Sequence, residues 1–521
     1  MVKNVGFSFL FFCLLMASHS FAQKEATNWY FGLHCGLRFD SREPDPVNNG
    51  STMADGGTAV MSDRITGELL FYTDGRNFWN RKHEMMQNDH TLPSNCFSRM
   101  TQPAIIIPSM SNPNQYHVFC IRPYPEDAPP SNVYNCLNAP VMKNLADDDS
   151  GLALLYYLID MTLDVGMGNV VNDQSNKLVQ YNVTEKLTAV PHANGTGHWI
   201  ITHGWRNNSF FAHHLSQANI VETVTTTIGS VHGGYGAIYF RDEVRGELKA
   251  SPNGRKIAAA IFSEERPFDL FDFDASNGTL SNYINLGNIA GQFGISFSPD
   301  NSKLYVTSDS RATDTRFLDI ILQYDLSSGD PGIIAASGKS IVVNNPKTNL
   351  PPSGIMDGWS YAEKGMALAP DGRLYISSND PSVDSGEDDI LVVINRPNEP
   401  GFDADIRSKK FAFGNGKTAI GLPNFMQSYF NGIQSSAVCN QASALVVFPN
   451  PTSGSITINV QDDCDASYSI DVINAIGQQV YAFTGNITSG DSLDLSFLPG
   501  GIYFLIVGKP GFKTVKKVIK L

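Results

Sequence analysis

The chain has 521 residues, 42% hydrophobic and 17% charged, against roughly 25% charged for an average soluble protein, so it is not a disordered chain. Its net charge is −14 and it has no long basic run. That argues against nucleic acid as a partner, because backbone recognition rests on clustered Lys and Arg. With 45 Gly, 28 Pro, 31 Phe and 19 Tyr, turn formers and large flat side chains are both plentiful, as many short strands joined by tight turns require. The length exceeds one ordinary core, so a large repeat domain with at least one smaller unit is expected.

At the N-terminus, Lys3 precedes an apolar run from Phe7 to Met16, and Ser20-Phe21-Ala22 places small residues ahead of Gln23. This order is that of a secretory signal peptide over residues 1–22. The run is too short for the ~20 apolar residues of a membrane span, and no later segment reads as a transmembrane segment. Gln23 stands where a lipoprotein would carry Cys. Removal of residues 1–22 leaves Cys35, Cys96, Cys120, Cys136, Cys439 and Cys464. An even number in an oxidising compartment permits disulfides of unassigned connectivity; buried free thiols are the other reading. A Cys439–Cys464 bond is open on the same terms.

Between residues 28 and 430 one unit recurs: a short apolar strand, a turn rich in Pro, Asp, Asn and Gly, and a stronger apolar strand. It is clearest as LKASPNGRKIAAAIF from Leu248, ISFSPDNSKLYVTSD from Ile295 and MALAPDGRLYISSND from Met366, with looser copies from Thr58, Pro103 and Leu187. Pro presets φ and the following Asp, Asn or Gly tolerates the tight corner of a hairpin. Further β-rich stretches complete a unit of about four strands, the size of a propeller blade. The fold expected is therefore all-β: a seven-bladed β-propeller over 28–430, with six or eight blades as alternatives. The seventh unit is assembled from both ends, GLPNFMQSYF from Gly421 joining NWYFG from Asn28 and GLRFD from Gly36. Long insertions fall at Arg122 to Ser150 and Ser337 to Ser360.

Residues 431–444 are small and polar and read as a linker. From Leu445 a second alternation begins, with Ile456, Ile458 and Val460 on one face, then Tyr468, Ile470 and Val472, then Leu493, Leu495 and Phe497. About seven short strands over residues 445–521 predict a small Ig-like antiparallel β-sandwich.

That last segment resembles the C-terminal sorting domain, type A, of proteins exported by the bacterial type IX secretion system. The resemblance is carried by VFPNPTSGSITINV at Val447, YSIDVINAIGQQVY at Tyr468, LPGGIYFLIV at Leu498 and KTVKKVIKL at Lys513. It implies a type IX translocon and its sorting machinery as partners, and removal of the domain with attachment to surface lipopolysaccharide or release to the medium. It also implies Pro449, Asn450, Pro451, Gly477, Gly500, Tyr503, Lys517 and Lys520 as the sorting signal. As plain structure, Pro449 and Pro451 stop strand pairing, and Gly500 and Gly501 permit a tight turn. Residues 28–430 are similar to secreted propeller proteins that travel with such domains, through NWYFG at Asn28, HANGTGHWIITH at His192 and GLPNF at Gly421. This second resemblance implies fold and location rather than an activity.

Motifs of chemistry mostly fail. His83-Glu84 lacks the helix-spaced second His, replaced by Gln87, so no zinc-protease pair forms. Gly416-Lys417-Thr418 lacks the earlier Gly of a phosphate loop, replaced by Phe411. No G-x-S-x-G elbow occurs, and no catalytic residue or cofactor is assigned. The richest cluster is His192, His198, His203, His213 and His214 with Asn194, Trp199 and Trp205. His192, Asn194, His203 and Trp205 from it, together with Trp359, are the ligand-binding candidates, the imidazoles and an indole lining a ring opening for metal or sugar contact. Against that, strand alternation puts Trp199, Ile201 and His203 on one face, which assigns Trp199 to the core and His203 to a hydrogen bond within the sheet. Asp384, Glu387 and Asp388 are calcium candidates by hard-oxygen content, though such a run also reads as a solvated loop. The functional expectation is an exported binding module. The alternatives are a glycan-active hydrolase with carboxylates converging at the central opening and a structural or gliding-associated surface protein.

Overall fold

The computed structural model describes residues 24–41, 43–86, 96–123, 134–136, 152–217, 219–233, 243–309, 319–342, 364–377, 390–433, 445–460, 467–486, 491–509 and 512–521. Residues 1–22, Cys439, Cys464, Trp359 and the Asp384 to Asp388 run lie outside them, so nothing is added to the expectations made there. The regular structure of the described chain is nearly all β, and every pairing between strands is antiparallel.

Apart from a two-stranded sheet in which Cys96–Ser98 pairs with Tyr134–Cys136 across residues 104–123, the sheets of this region follow one another along the chain without interleaving. The first sheet holds Asn28–Phe31, Cys35–Arg38 and Asp45–Val47; the second holds Ala59–Ser62, Leu69–Thr73 and Phe78–Asn80. The third has Ala104–Pro108, Gln115–Pro123 and Leu152–Asp160, the last flanked by both Asn169–Val170 and Lys177–Tyr181. Four sheets of four strands come next. They begin at Val183–Pro191, Leu248–Ala250, Ile295–Phe297 and Met366–Leu368. Each corresponds to one turn-centred repeat of the sequence. In the fifth, sixth and seventh sheets the repeat's two strands pair across the S-P-N-G, S-P-D-N and A-P-D-G corners, whose Gly254, Asn301 and Gly372 all adopt positive φ as the tight corner demands.

The first strand of each sheet lies against the first strand of the next, from the first sheet to the seventh. The two ends of the region then meet. Leu33 bridges Lys417 antiparallel, and Thr58 bridges Pro423 in parallel. Gly421 N–H donates to Asp55 O at 3.0 Å, and Gly365 N–H donates to Ile420 O at 2.9 Å. The meeting differs in detail from expectation. NWYF pairs with Cys35–Arg38, while the GLPNF backbone lies against Asp55 to Thr58. The reason is steric: a Cβ on Gly421 would sit 2.1 Å from the Gly56 carbonyl carbon, so two glycine-containing backbones cross where any side chain would separate them. Aromatic rings seal the same junction, Trp29 against Tyr375 and Phe31 against Phe413.

The C-terminal unit has its own core, formed by Ile456, Ile458, Ile470, Val472, Leu493, Leu495, Leu498, Tyr503, Leu505, Val507 and Val518. Two sheets enclose it. One is ordered Leu445–Phe448, Ser455–Val460, Asp491–Asp494; the other is ordered Gln479–Asn486, Ser467–Asn474, Gly501–Lys509, Phe512–Lys520. One expectation is corrected here. Phe497 is 57% exposed and Leu498 takes the core position. Asp494 Oδ1 accepts the Ser496 N–H at 2.8 Å, an Asx-type turn that ends the strand and breaks its alternation.

Candidate functional site: a cleft and a buried polar belt

The histidine-rich hairpin is the fourth sheet. Its first two strands pair Pro191 with His198 at one end and Val183 with Gly204 at the other. His192 and Asn194 therefore lie at the turn end, and His203 and Trp205 at the opposite end. Four residues that read as one cluster in sequence are two separate places in the structure.

At the turn end, His192 stacks on Trp199 and His214, with ring centroids 5.4 and 4.5 Å apart. Trp199 is fully buried, as alternation requires, and its Nε1–H donates to Ala275 O at 2.9 Å, which ties the fourth sheet to a turn of the fifth. Asn194 is exposed, and its Oδ1 accepts the Thr196 N–H and hydroxyl; it shapes the turn. His192 borders a cleft of about 580 Å³ whose other walls include Asn253, Arg255, Phe273, Asp274 and Asn431. Three hairpin turns and the end of the ring segment thus converge on one polar hollow, with the exposed Arg255 side chain at its margin.

At the opposite end, His203 and His232 are fully buried, with stacked rings 3.7 Å apart. His203 Nδ1 lies 2.8 Å from Gly204 O, the carbonyl of the next residue in its own strand. Burial first, with the nearby Lys186 charge second, pushes the His203 imidazole down to about 3; burial first, then the neighbouring His203 and Lys186, holds that of His232 well below its usual value. Both rings are neutral at physiological pH. Trp205 is also buried, its backbone N–H donating to Asn182 O. Neither His203 nor Trp205 reaches the surface.

A third group was not visible in the sequence. Gln102 Oε1 accepts the N–H of Leu187 at 3.1 Å and of Leu248 at 2.7 Å, and its Nε2 donates to Leu248 O and Asn424 Oδ1. Asn424 Nδ2 donates to Ala104 O and Leu187 O. These two amides join the first strands of the third, fourth and fifth sheets to the returning C-terminal segment. Carboxylates extend the belt. Glu185 accepts the N–H and hydroxyl of Thr101 at 2.8 and 2.7 Å. Glu247 accepts the Ile295 N–H at 2.8 Å and lies 3.8 Å from Lys249 Nζ. Asp55 pairs with Arg99 at 3.6 Å. Burial raises Glu247 to about 7 in spite of Lys249. These carboxylates bridge neighbouring sheets; their acceptor oxygens are engaged by backbone and side-chain donors. For Gln102, Glu185 and Glu247 the signal that would have revealed them is positional: a polar residue within two places of the start of an apolar first strand.

Among the described residues no group of three or more His, Cys, Asp or Glu is placed to hold a metal ion, and no helix is long and apolar enough to cross a membrane.

In the C-terminal unit, Pro449, Asn450 and Pro451 lie beside the last strand, with Asn450 bonded to residues 517 and 519. Gly477 takes φ +83° in a turn organised by Asn474 Oδ1, which accepts the Ile476 and Gln478 N–H groups. Tyr503 is buried, its hydroxyl donating to Pro499 O at 2.9 Å beside Gly500. Lys517 is exposed, whereas Lys520 is 8% exposed and its Nζ bonds Leu521 O.

The fold and this unit define a class, an all-β ring of sheets followed by a secretion module. Residues 446–521 match the secretion system C-terminal sorting domain family, so the chain carries a type IX sorting domain that marks it for export. No curated protein matches the chain. Among solved structures, a putative 6-phosphogluconolactonase from Bacteroides fragilis is similar at 11% identity, over 71% of this chain and 97% of that one, with a TM-score of 0.33. TolB from Acinetobacter baumannii is similar at 11% identity over 76% and 81%, TM-score 0.32. The periplasmic gluconolactonase of Pseudomonas aeruginosa is similar at 11% over 80% and 93%, TM-score 0.29.

Proposed function

We propose that the mature protein is a seven-bladed propeller that acts as an exported binding module for a glycan or a protein. A signal peptide starts its route and the type IX machinery, reading the C-terminal domain, completes it at the cell surface or in the medium. Attachment to lipopolysaccharide follows from the same reading. The observation that carries the binding role is the cleft beside His192, where a half-exposed imidazole stacked on Trp199, an exposed guanidinium at Arg255 and the Asn253 and Asn431 amides offer a polar ligand both a flat face and hydrogen bonds. The hydrolase alternative draws less support, because Glu185 and Glu247 are occupied in holding sheets together.

A glycan array run on the full mature chain, in parallel with a panel of glycosidase substrates, tests this. Binding to at least one glycan class is expected, weakened about tenfold or more by His192→Ala or Arg255→Ala. Turnover of a substrate in the panel would favour the hydrolase. An array and a protein pull-down that both stay blank would remove the binding role.

A further inference from the structure

The Pro449-Asn450-Pro451-Thr452 segment runs beside the last strand, Phe512–Lys520, on the edge opposite its partner Gly501–Lys509. Thr452 N–H donates to Ile519 O and Leu521 N–H donates to Thr452 O, both at 2.8 Å, one step of a parallel ladder. The next step backwards in a parallel ladder would use the Asn450 main-chain N–H toward Lys517 O and the Asn450 C=O toward the Ile519 N–H. The Asn450 side chain takes both places instead. Its Nδ2–H donates to Lys517 O at 2.7 Å, and its Oδ1 accepts the Ile519 N–H at 2.9 Å. A carboxamide offers one donor and one acceptor side by side, as a peptide group does.

We propose that Asn450 is a positioning residue for sorting: its carboxamide makes the two ladder bonds that its own main-chain N–H and C=O would otherwise make, and so holds the terminal residues Lys517 to Leu521 on their outer edge. The prolines and the basic terminus are then one composite signal, in which Asn450 works through the strand that it holds and the exposed Lys517 is presented for recognition. This rests on the reading of residues 446–521 as the export signal. It explains why the residue between the prolines is Asn. Asp keeps the acceptor but turns a carboxylate oxygen toward the Lys517 carbonyl, and Ala supplies neither group.

The test uses the full chain expressed in a host with the secretion system. Amide exchange of the terminal peptide 512–521 is measured beside the fraction of protein exported. Asn450→Ala and the nearly isosteric Asn450→Asp should each speed that exchange on the order of tenfold and reduce export in step, while the Ser455–Val460 strand keeps its protection. Export at full level despite faster exchange overturns the proposal. So does lost export with unchanged exchange, which would make Asn450 a direct contact of the machinery. If Asn450→Ala does not fold, Asn450→Asp carries the same two outcomes. A chain lacking residues 446–521 separates the two readings: if it is exported, the sorting role fails, whatever the exchange results show.

Discussion

At the scale of single residues, histidine shows how burial decides chemistry. His117, His198, His203 and His213 have pKa values pushed down to about 3 to 4, and His232 is held well below the usual value, with burial the largest cause in each. The native state keeps these rings neutral, while the unfolded chain takes up protons below pH 6.5. Their contribution is therefore complete above pH 6.5 and is lost as pH falls toward 4. Glu247, raised to about 7, and Asp269, raised to about 6, act in the opposite sense, since their neutral native forms lose stability as pH rises through that range. Burial also raises Glu25 and Asp74 and lowers His83; six histidines outweigh four carboxyl groups, so urea unfolding at pH 5 should give a markedly lower midpoint than at pH 7.5. His213, whose Nδ1 lies 2.9 Å from Thr223 Oγ, tests the origin. His213→Asn should shrink the difference between the two pH values by on the order of 2 kcal/mol, and an unaltered difference would show that other groups control it.

At the scale of elements, ring closure is the decisive packing event. The first sheet touches the seventh through Trp29 and Tyr375 and through the Arg373–Glu43 ion pair at 3.2 Å, and its Leu33 bridges Lys417. Deleting Asn28 to Asp40 removes two strands and the fully buried Trp29, Phe31 and Leu37. Burial of each such side chain contributes about 2 kcal/mol or more, and the loss also leaves open sheet edges that invite self-association. The deletion variant should be insoluble or aggregated by size-exclusion chromatography. A monomer with the unchanged melting temperature would contradict closure. Element boundaries followed the turn-centred repeat where a tight corner joins two apolar strands, as in the two strands from Ile295. They departed from the alternation where a local hydrogen bond intervened, as at Asp494 and Ser496.

At the scale of the whole molecule, the C-terminal unit and the preceding ring have separate hydrophobic clusters. Each should therefore unfold by itself. Calorimetry of the full chain is expected to show two transitions, and the chain lacking residues 446–521 should keep the ring's transition within a few degrees while accumulating in the periplasm. Loss of that transition on truncation would mean that the ring depends on the sorting unit for its stability.

What the sequence by itself determined is what depends on short-range pattern: period-two alternation, Pro-Asp-Gly corners, an apolar N-terminal run and the ordered motifs of residues 446–521. These act between neighbours, so the repeats, the sandwich and the core position of Trp199 were legible before any coordinates. Only the tertiary structure decided which distant residues meet. Gln102 reaches Leu248 and Asn424, and Asn450 reaches Lys517, across separations that no local pattern spans. It also parted His192 from His203, because eleven positions of one hairpin place them at its two ends. Their imidazoles are chemically alike, and burial alone makes one a cleft residue and the other a neutral member of the core.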